Sequence, residues 1–73
     1  MDTLLRLKPI LADIFDVDED EITPKTDLFD DLGGDEYDMI EIAMIIEEEF
    51  DVTLKLPKKG PFTVAKLCAL IEN

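Results

Sequence analysis

Histidine, serine and tryptophan are absent from this 73-residue chain, and cysteine occurs once. Without histidine there is no nucleophile–histidine pair and no histidine-ligated metal. Without serine there is no seryl nucleophile. A lone Cys68 forms no internal disulfide and matches no cysteine-rich metal spacing. Basic residues are also scarce, 7 against 19 acids, for a formal charge of −12. Such a field repels nucleic acid and anionic membranes and speeds encounter with basic protein surfaces. Long apolar runs are missing too. The opening MDTLLRLKPILADIF carries Asp2 and Asp13 among its apolar residues. It therefore reads as neither a signal peptide nor a membrane span, and a cytoplasmic location is the expectation.

What is present is apolar enough to fold, since 47% of the residues are hydrophobic, too many for a disordered acidic tail. The length fits one domain, residues 1–73, that buries only about 60% of its unfolded surface. This leaves no room for a large catalytic cleft, and no enzyme is expected. Leu4, Leu7, Leu11, Ile14 and Phe15 recur at helical spacing, with Asp2 or Thr3 available as a cap. Pro9 removes a helical donor. Either the first helix kinks there or it begins near Lys8 with Pro9 in its first turn.

Residues 16–34 form a long connection whose apolar residues Val17, Ile22, Leu28, Phe29 and Leu32 are its expected pins. Thr26 or Asp27 can start a short helical turn, and Gly33 and Gly34 can both supply positive φ. The spacing predicts a second helix from about Asp35 to Phe50, capped by Asp35. At 100° per residue Met39, Ile42, Ala43, Ile46 and Phe50 share one face, the core stripe. Tyr37, Ile40 and Met44 fall nearly opposite, flanked by Glu41 and Glu48, with Glu47 bordering Ile40. This helix thus has two apolar faces, and a small domain buries only one well. Pro57, Gly60 and Pro61 exclude a regular helix through DVTLKLPKKGPF, which holds the basic patch Lys55, Lys58 and Lys59. A last helix is expected from about Val64 to Ile71, with Thr63 as cap and Phe62 stapled onto Leu67. The fold class is all-α, a small three- or four-helix bundle with a long loop between the first and second helices.

The stretch DDLGGDEYDMIEIAMIIEEEF resembles the signature of the acyl carrier protein family, in which D-L-G-x-D-S-L opens a helix ending in E-E-E-F. The resemblance extends upstream through Val17, Glu21, Ile22, Thr23, Phe29, Asp31, Leu32 and Gly33. Downstream it runs through Asp51, Val52, Leu56-Pro57 and the helix after Thr63, so most of the chain is covered. The resemblance implies a serine, directly after the motif aspartate, that receives a 4′-phosphopantetheine arm from coenzyme A and carries acyl thioesters on it. Here the aspartate is Asp35, Glu36 takes the serine position and Tyr37 follows in place of leucine. Arm transfer needs a hydroxyl, whereas a carboxylate would give a readily hydrolysed acyl phosphate. Tyr37 is one residue on, about 100° around the helix. No cofactor is expected on this reading, and 4′-phosphopantetheine is expected only if the chain is a working carrier with an atypical attachment point.

The resemblance also implies that the second helix docks basic partner enzymes. The matching positions are Asp35, Glu36, Tyr37, Asp38, Ile40, Glu41, Met44, Glu47 and Glu48. The expected partners are basic surfaces of enzymes or assembly factors in fatty-acid, polyketide or related thiotemplate pathways. Self-association through the spare helix face stays open. Glu36 reads either as a favourable charge in a first helical turn or as a stand-in for the phosphate of the arm. Asp16, Asp18 and Asp20 have the alternation that begins a calcium loop. However, Glu21 stands where glycine is needed and Asp27 where a bidentate glutamate is usual, so no metal site is expected. The carboxylates of the second helix are expected on a convex surface without a pocket. The short basic PKKGP segment is expected to reduce any acyl-sheltering pocket.

Overall fold

Three α-helices and one turn of 3-10 helix, with no β-strand among the described residues, make up the computed structural model, which describes residues 2–72. Helix α1 spans Thr3–Phe15, α2 Glu36–Phe50 and α3 Val64–Glu72, and the 3-10 turn is Glu19–Glu21. The all-α expectation holds.

Helix α1 forms because Thr3, Leu7 and Leu11 recur every four residues and bury on one line. Asp2 caps its start by accepting the Leu5 N–H at 3.3 Å. Pro9 sits inside the helix, so the alternative start near Lys8 is corrected. The missing donor costs one hydrogen bond on an exposed position, and the buried leucines on either side outweigh it. Asp16 ends the helix in the left-handed region, φ 56°. A short polar side chain tolerates that conformation. Asp16 and the residues after it therefore belong to a helix terminus and a 3-10 turn, where the Glu21 carboxylate accepts the Asp18 N–H at 3.1 Å.

The long connection is pinned as its apolar residues suggest. Ile22 and Leu28 are fully buried, and Val17, Phe29 and Leu32 pack partly buried against the core. Its backbone is then sewn to the segment before α3. Leu28 N–H donates to the Phe62 carbonyl, Val64 N–H to the Thr26 carbonyl and Ala65 N–H to the Pro24 carbonyl, each at 2.9 Å. Asp27 and Thr63 form an isolated antiparallel bridge. At the centre lies the Asp27 carboxylate. One oxygen accepts the N–H groups of Phe29 and Asp30, both at 2.9 Å, and the other accepts the N–H of Phe62 at 2.8 Å. The Asp30 N–H most strongly holds this carboxyl below its ordinary value near 3.8. Burial opposes the shift, while Phe29, Phe62 and the Lys66 charge reinforce it.

Helices α2 and α3 close the core. Met39, Ile42 and Ile46 of α2 and Val64, Leu67 and Ile71 of α3 meet Leu7 and Leu11, with Phe62 buried beside them. Each such side chain contributes about 1.5–3 kcal/mol on burial. Thr63 Oγ1 accepts the Lys66 N–H at 3.3 Å, capping α3. Arg6 ties α1 to the end of α2. Its guanidinium lies 4.0 Å over the Phe50 ring and donates to the Glu49 carbonyl at 2.9 Å. Cys68 is half-buried, and burial first, then Glu72 and Asp2, pushes its thiol above the ordinary value. It behaves as a packing residue.

Candidate functional site on the second helix

The head of α2 is set by backbone constraints. Gly33 has φ 73°, a conformation that suits glycine. Gly34 was expected to share that role and does not. Its requirement is space, because a Cβ there would lie 2.8 Å from the Leu28 carbonyl oxygen and 3.2 Å from the Met39 side chain. The Gly34 N–H donates to that same carbonyl at 2.9 Å. Asp35 and Asp38 then cap the helix reciprocally. Asp35 Oδ1 accepts the Asp38 N–H at 3.0 Å, and Asp38 Oδ2 accepts the Asp35 N–H at 3.1 Å. Glu36 is the first helical residue and is exposed, and its side chain makes no hydrogen bond among the described residues.

Along the helix, Tyr37, Ile40 and Met44 are 74%, 56% and 63% exposed, and Glu41 and Glu48 beside them are exposed too. Their bearings lie roughly opposite those of Met39, Ile42 and Ile46 at about 100° per residue. Three of the sequence-derived docking residues have other engagements, Asp35 as the cap of the helix among them. Asp38 is half-buried in the capping box, and Glu47 is half-buried with Oε2 accepting the Leu54 N–H at 2.9 Å. The bond from Glu47 fastens the segment after α2 alongside the helix.

That fastening leaves a groove of about 270 Å³ between α2 and residues 54–58. Met39, Ile40, Ala43, Met44, Leu54, Leu56 and Pro57 line it, with Glu36 on one side and Lys55 and Lys58 on the other. The expectation of a convex α2 without a pocket is therefore corrected, and an apolar groove persists despite the short basic segment. Its volume is just under the usual range for small-molecule sites. Sequence reasoning also missed Glu47 as a tie and Asp27 as a clasp. The available signal for Asp27 was an aspartate two and three residues before turn amides, the pattern of a side chain closing its own turn.

Hydroxyls are sparse near the helix head. Tyr37 is adjacent and exposed. Thr3 and Thr26 are buried, Thr26 Oγ1 lies 3.1 Å from Thr23 Oγ1, and Thr63 caps α3. No helix among the described residues is long and apolar enough to cross a membrane. No group of acidic or cysteine side chains among them is arranged to hold a metal ion.

The family described as "Phosphopantetheine attachment site" matches residues 6–58, which take in most of α1, the long connection, α2 and the groove wall. Proteins named acyl carrier protein from three strains of Clostridium perfringens are 45% identical to this chain over 49 residues. Those residues are 67% of this chain and 64% of each relative, so the match spans somewhat under two thirds of the relatives' length. With the match across most of the chain and the all-α bundle that carries it, the chain belongs to the phosphopantetheine attachment site family.

Proposed function

We propose that the chain is an acyl-carrier-like module of acyl metabolism that carries no phosphopantetheine arm and acts through the exposed face of α2. One observation carries this reading: a carboxylate, Glu36, heads α2 in a chain without serine. The residues at the helix head do not fit a phosphate ester. A carboxylate offers no hydroxyl to esterify, and a phosphate placed there would meet the negative charges of Glu36, Asp35 and Asp38. The face itself is kept. Tyr37, Ile40 and Met44 supply exposed apolar anchors and Glu41 and Glu48 supply steering charge. A partner with a basic, apolar-floored groove matches it, such as an enzyme or assembly factor of a fatty-acid or related pathway. The net charge of −12 speeds that encounter and disfavours nucleic acid.

A second reading has its own support. The groove beside Glu36 offers apolar space to an acyl chain, and the exposed Tyr37 hydroxyl is next to the helix head. A working carrier with its arm on Tyr37 would use both. Intact-mass measurement of the chain isolated from its own cells separates the two. An unmodified mass is expected, co-purifying with a partner. An added pantetheine arm mapped to Tyr37 by fragmentation overturns the arm-free reading.

A further inference from the structure

We propose that the exposed face of α2 and the lysine-walled groove beside it are two halves of one self-complementary surface, whose occupant is a second copy of this chain docked with the two α2 helices parallel. The proposal rests on the reading of this face as a docking surface and names its partner; it does not depend on whether an arm is carried.

The face of α2 matches a basic, apolar-floored groove, and the chain itself holds one. Leu54, Leu56 and Pro57 line the apolar space beside α2, and Lys55 and Lys58 stand exposed at its edge. Three of the seven basic residues fall within residues 55–59. Lys55 and Lys58 form no ion pair among the described residues, despite the 19 acids of the chain. Ile40 and Met44 belong both to the exposed strip and to the groove lining, so the two features are continuous.

The order of charges across this surface selects the geometry. Glu41 and Glu48 lie about 20–40° to one side of Tyr37, and the groove residues Ile40 and Ala43 lie about 60–120° to the other. Acids therefore edge the apolar strip on one side and lysines on the other. A twofold axis running along the strip, parallel to α2, sets the acidic edge of each copy against the lysine edge of its partner. Apolar strip then meets apolar strip. An axis across the helix gives antiparallel helices and sets acids against acids. Glu36 is about 100° around from Tyr37, on the groove's own wall and off the contact line. Because the same patch serves both copies, assembly closes at two.

Each copy carries a charge of −12. At physiological salt, charges more than about 8 Å apart are largely screened, so the contact charges decide. The strip from Tyr37 to Met44 covers only about two helical turns, which suits a concentration-dependent equilibrium rather than an obligate dimer.

The test is sedimentation equilibrium of the full chain over a range of concentrations at physiological salt. The mass should rise from one chain toward two and stop there. Reversing the wall (Lys55→Glu with Lys58→Glu) or the helix (Glu41→Lys with Glu48→Lys) should hold each variant at one chain. An equimolar mixture of the two should restore doubling. All four positions are exposed, and circular dichroism reads folding. Should a double variant unfold, Lys58→Glu and Glu41→Lys, alone and mixed, give the same reading. Helix reversal lowers the net charge, so general repulsion predicts stronger association of that variant alone, and this result overturns the proposal. So does a wall variant that still doubles, a folded mixture that does not, or growth beyond two chains. A parent that stays single at every concentration also overturns it, and leaves the face to a different basic partner and the arm-free reading intact. Orientation is read by mild oxidation of Tyr37→Cys and Met44→Cys, with the parent, whose Cys68 is half-buried, as the blank. Both should crosslink to their own kind. Antiparallel helices with one of these pairs in contact hold the other about 20 Å apart, so crosslinking at only one position defeats the parallel arrangement and the proposal with it.

Discussion

Asp27 and Glu36 are both carboxylates at the start of a helical turn, yet the fold uses them in opposite ways. Asp27 is buried and gathers three backbone N–H groups, one of them from Phe62, 35 residues further along the chain. Glu36 is exposed and gathers none among the described residues. The first carboxylate joins the long connection to the entrance of α3. The second is free to change without disturbing the fold. A first-turn acid is thus a local signal whose meaning is set by what the chain brings to it from a distance. The absence of a structural duty at Glu36 leaves that position to be shaped by function.

The strongest way to break the comparison is Asp27→Ala. It leaves the Phe62, Phe29 and Asp30 N–H groups without their acceptor, so the melting temperature should fall by roughly 10 °C or more. Acid should reproduce part of this loss. Asp27 has a lowered folded pKa, so the unfolded chain takes up its proton first as pH falls. Its contribution is complete above the ordinary value near 3.8 and drains away as pH drops through the folded value. Thermal melts of the parent and Asp27→Ala should therefore converge toward low pH. A constant gap across that range would mean that the clasp does not depend on the charge.

Much of the fold was legible because periodicity is a local property. The buried residues Leu7, Leu11, Ile42, Ile46 and Leu67 stand where helical spacing puts them. Exposure of Tyr37, Ile40 and Met44 was legible for the same reason, since a wheel with two apolar faces must leave one outside. Non-local duties were not legible. Nothing in the residues around Asp27 announces the Phe62 N–H, and nothing around Glu47 announces Leu54. The groove follows from the Glu47 tie, because it exists only when residues 54–58 lie beside α2. Gly34 shows a related limit. Two adjacent glycines suggest two positive φ values, but one of them is there for clearance.

Glu47 and Glu48 sharpen the contrast within a single turn of α2. Glu47→Ala should free the Leu54 amide and speed its hydrogen exchange by roughly tenfold, the effect of one charge-assisted bond. Glu48→Ala, at an exposed position, should leave that amide unchanged. Equal effects would show that helix charge, rather than the bond to Leu54, holds the groove wall in place.

The smallest effect is expected at the other pole of the comparison. Glu36→Gln keeps the shape of the side chain and removes its charge, so it tests the helix dipole alone. A first-turn carboxylate at an exposed site interacts weakly with the helix end, and the melting temperature should drop by no more than about 5 °C. A fall as large as that of Asp27→Ala would make Glu36 a structural residue and erase the distinction between the two acids. A near-silent substitution leaves charge at this position available for recognition. In that case, affinity for a basic partner should respond to Glu36→Gln while thermal stability does not. That split assigns residue 36 to the docking face rather than to the core.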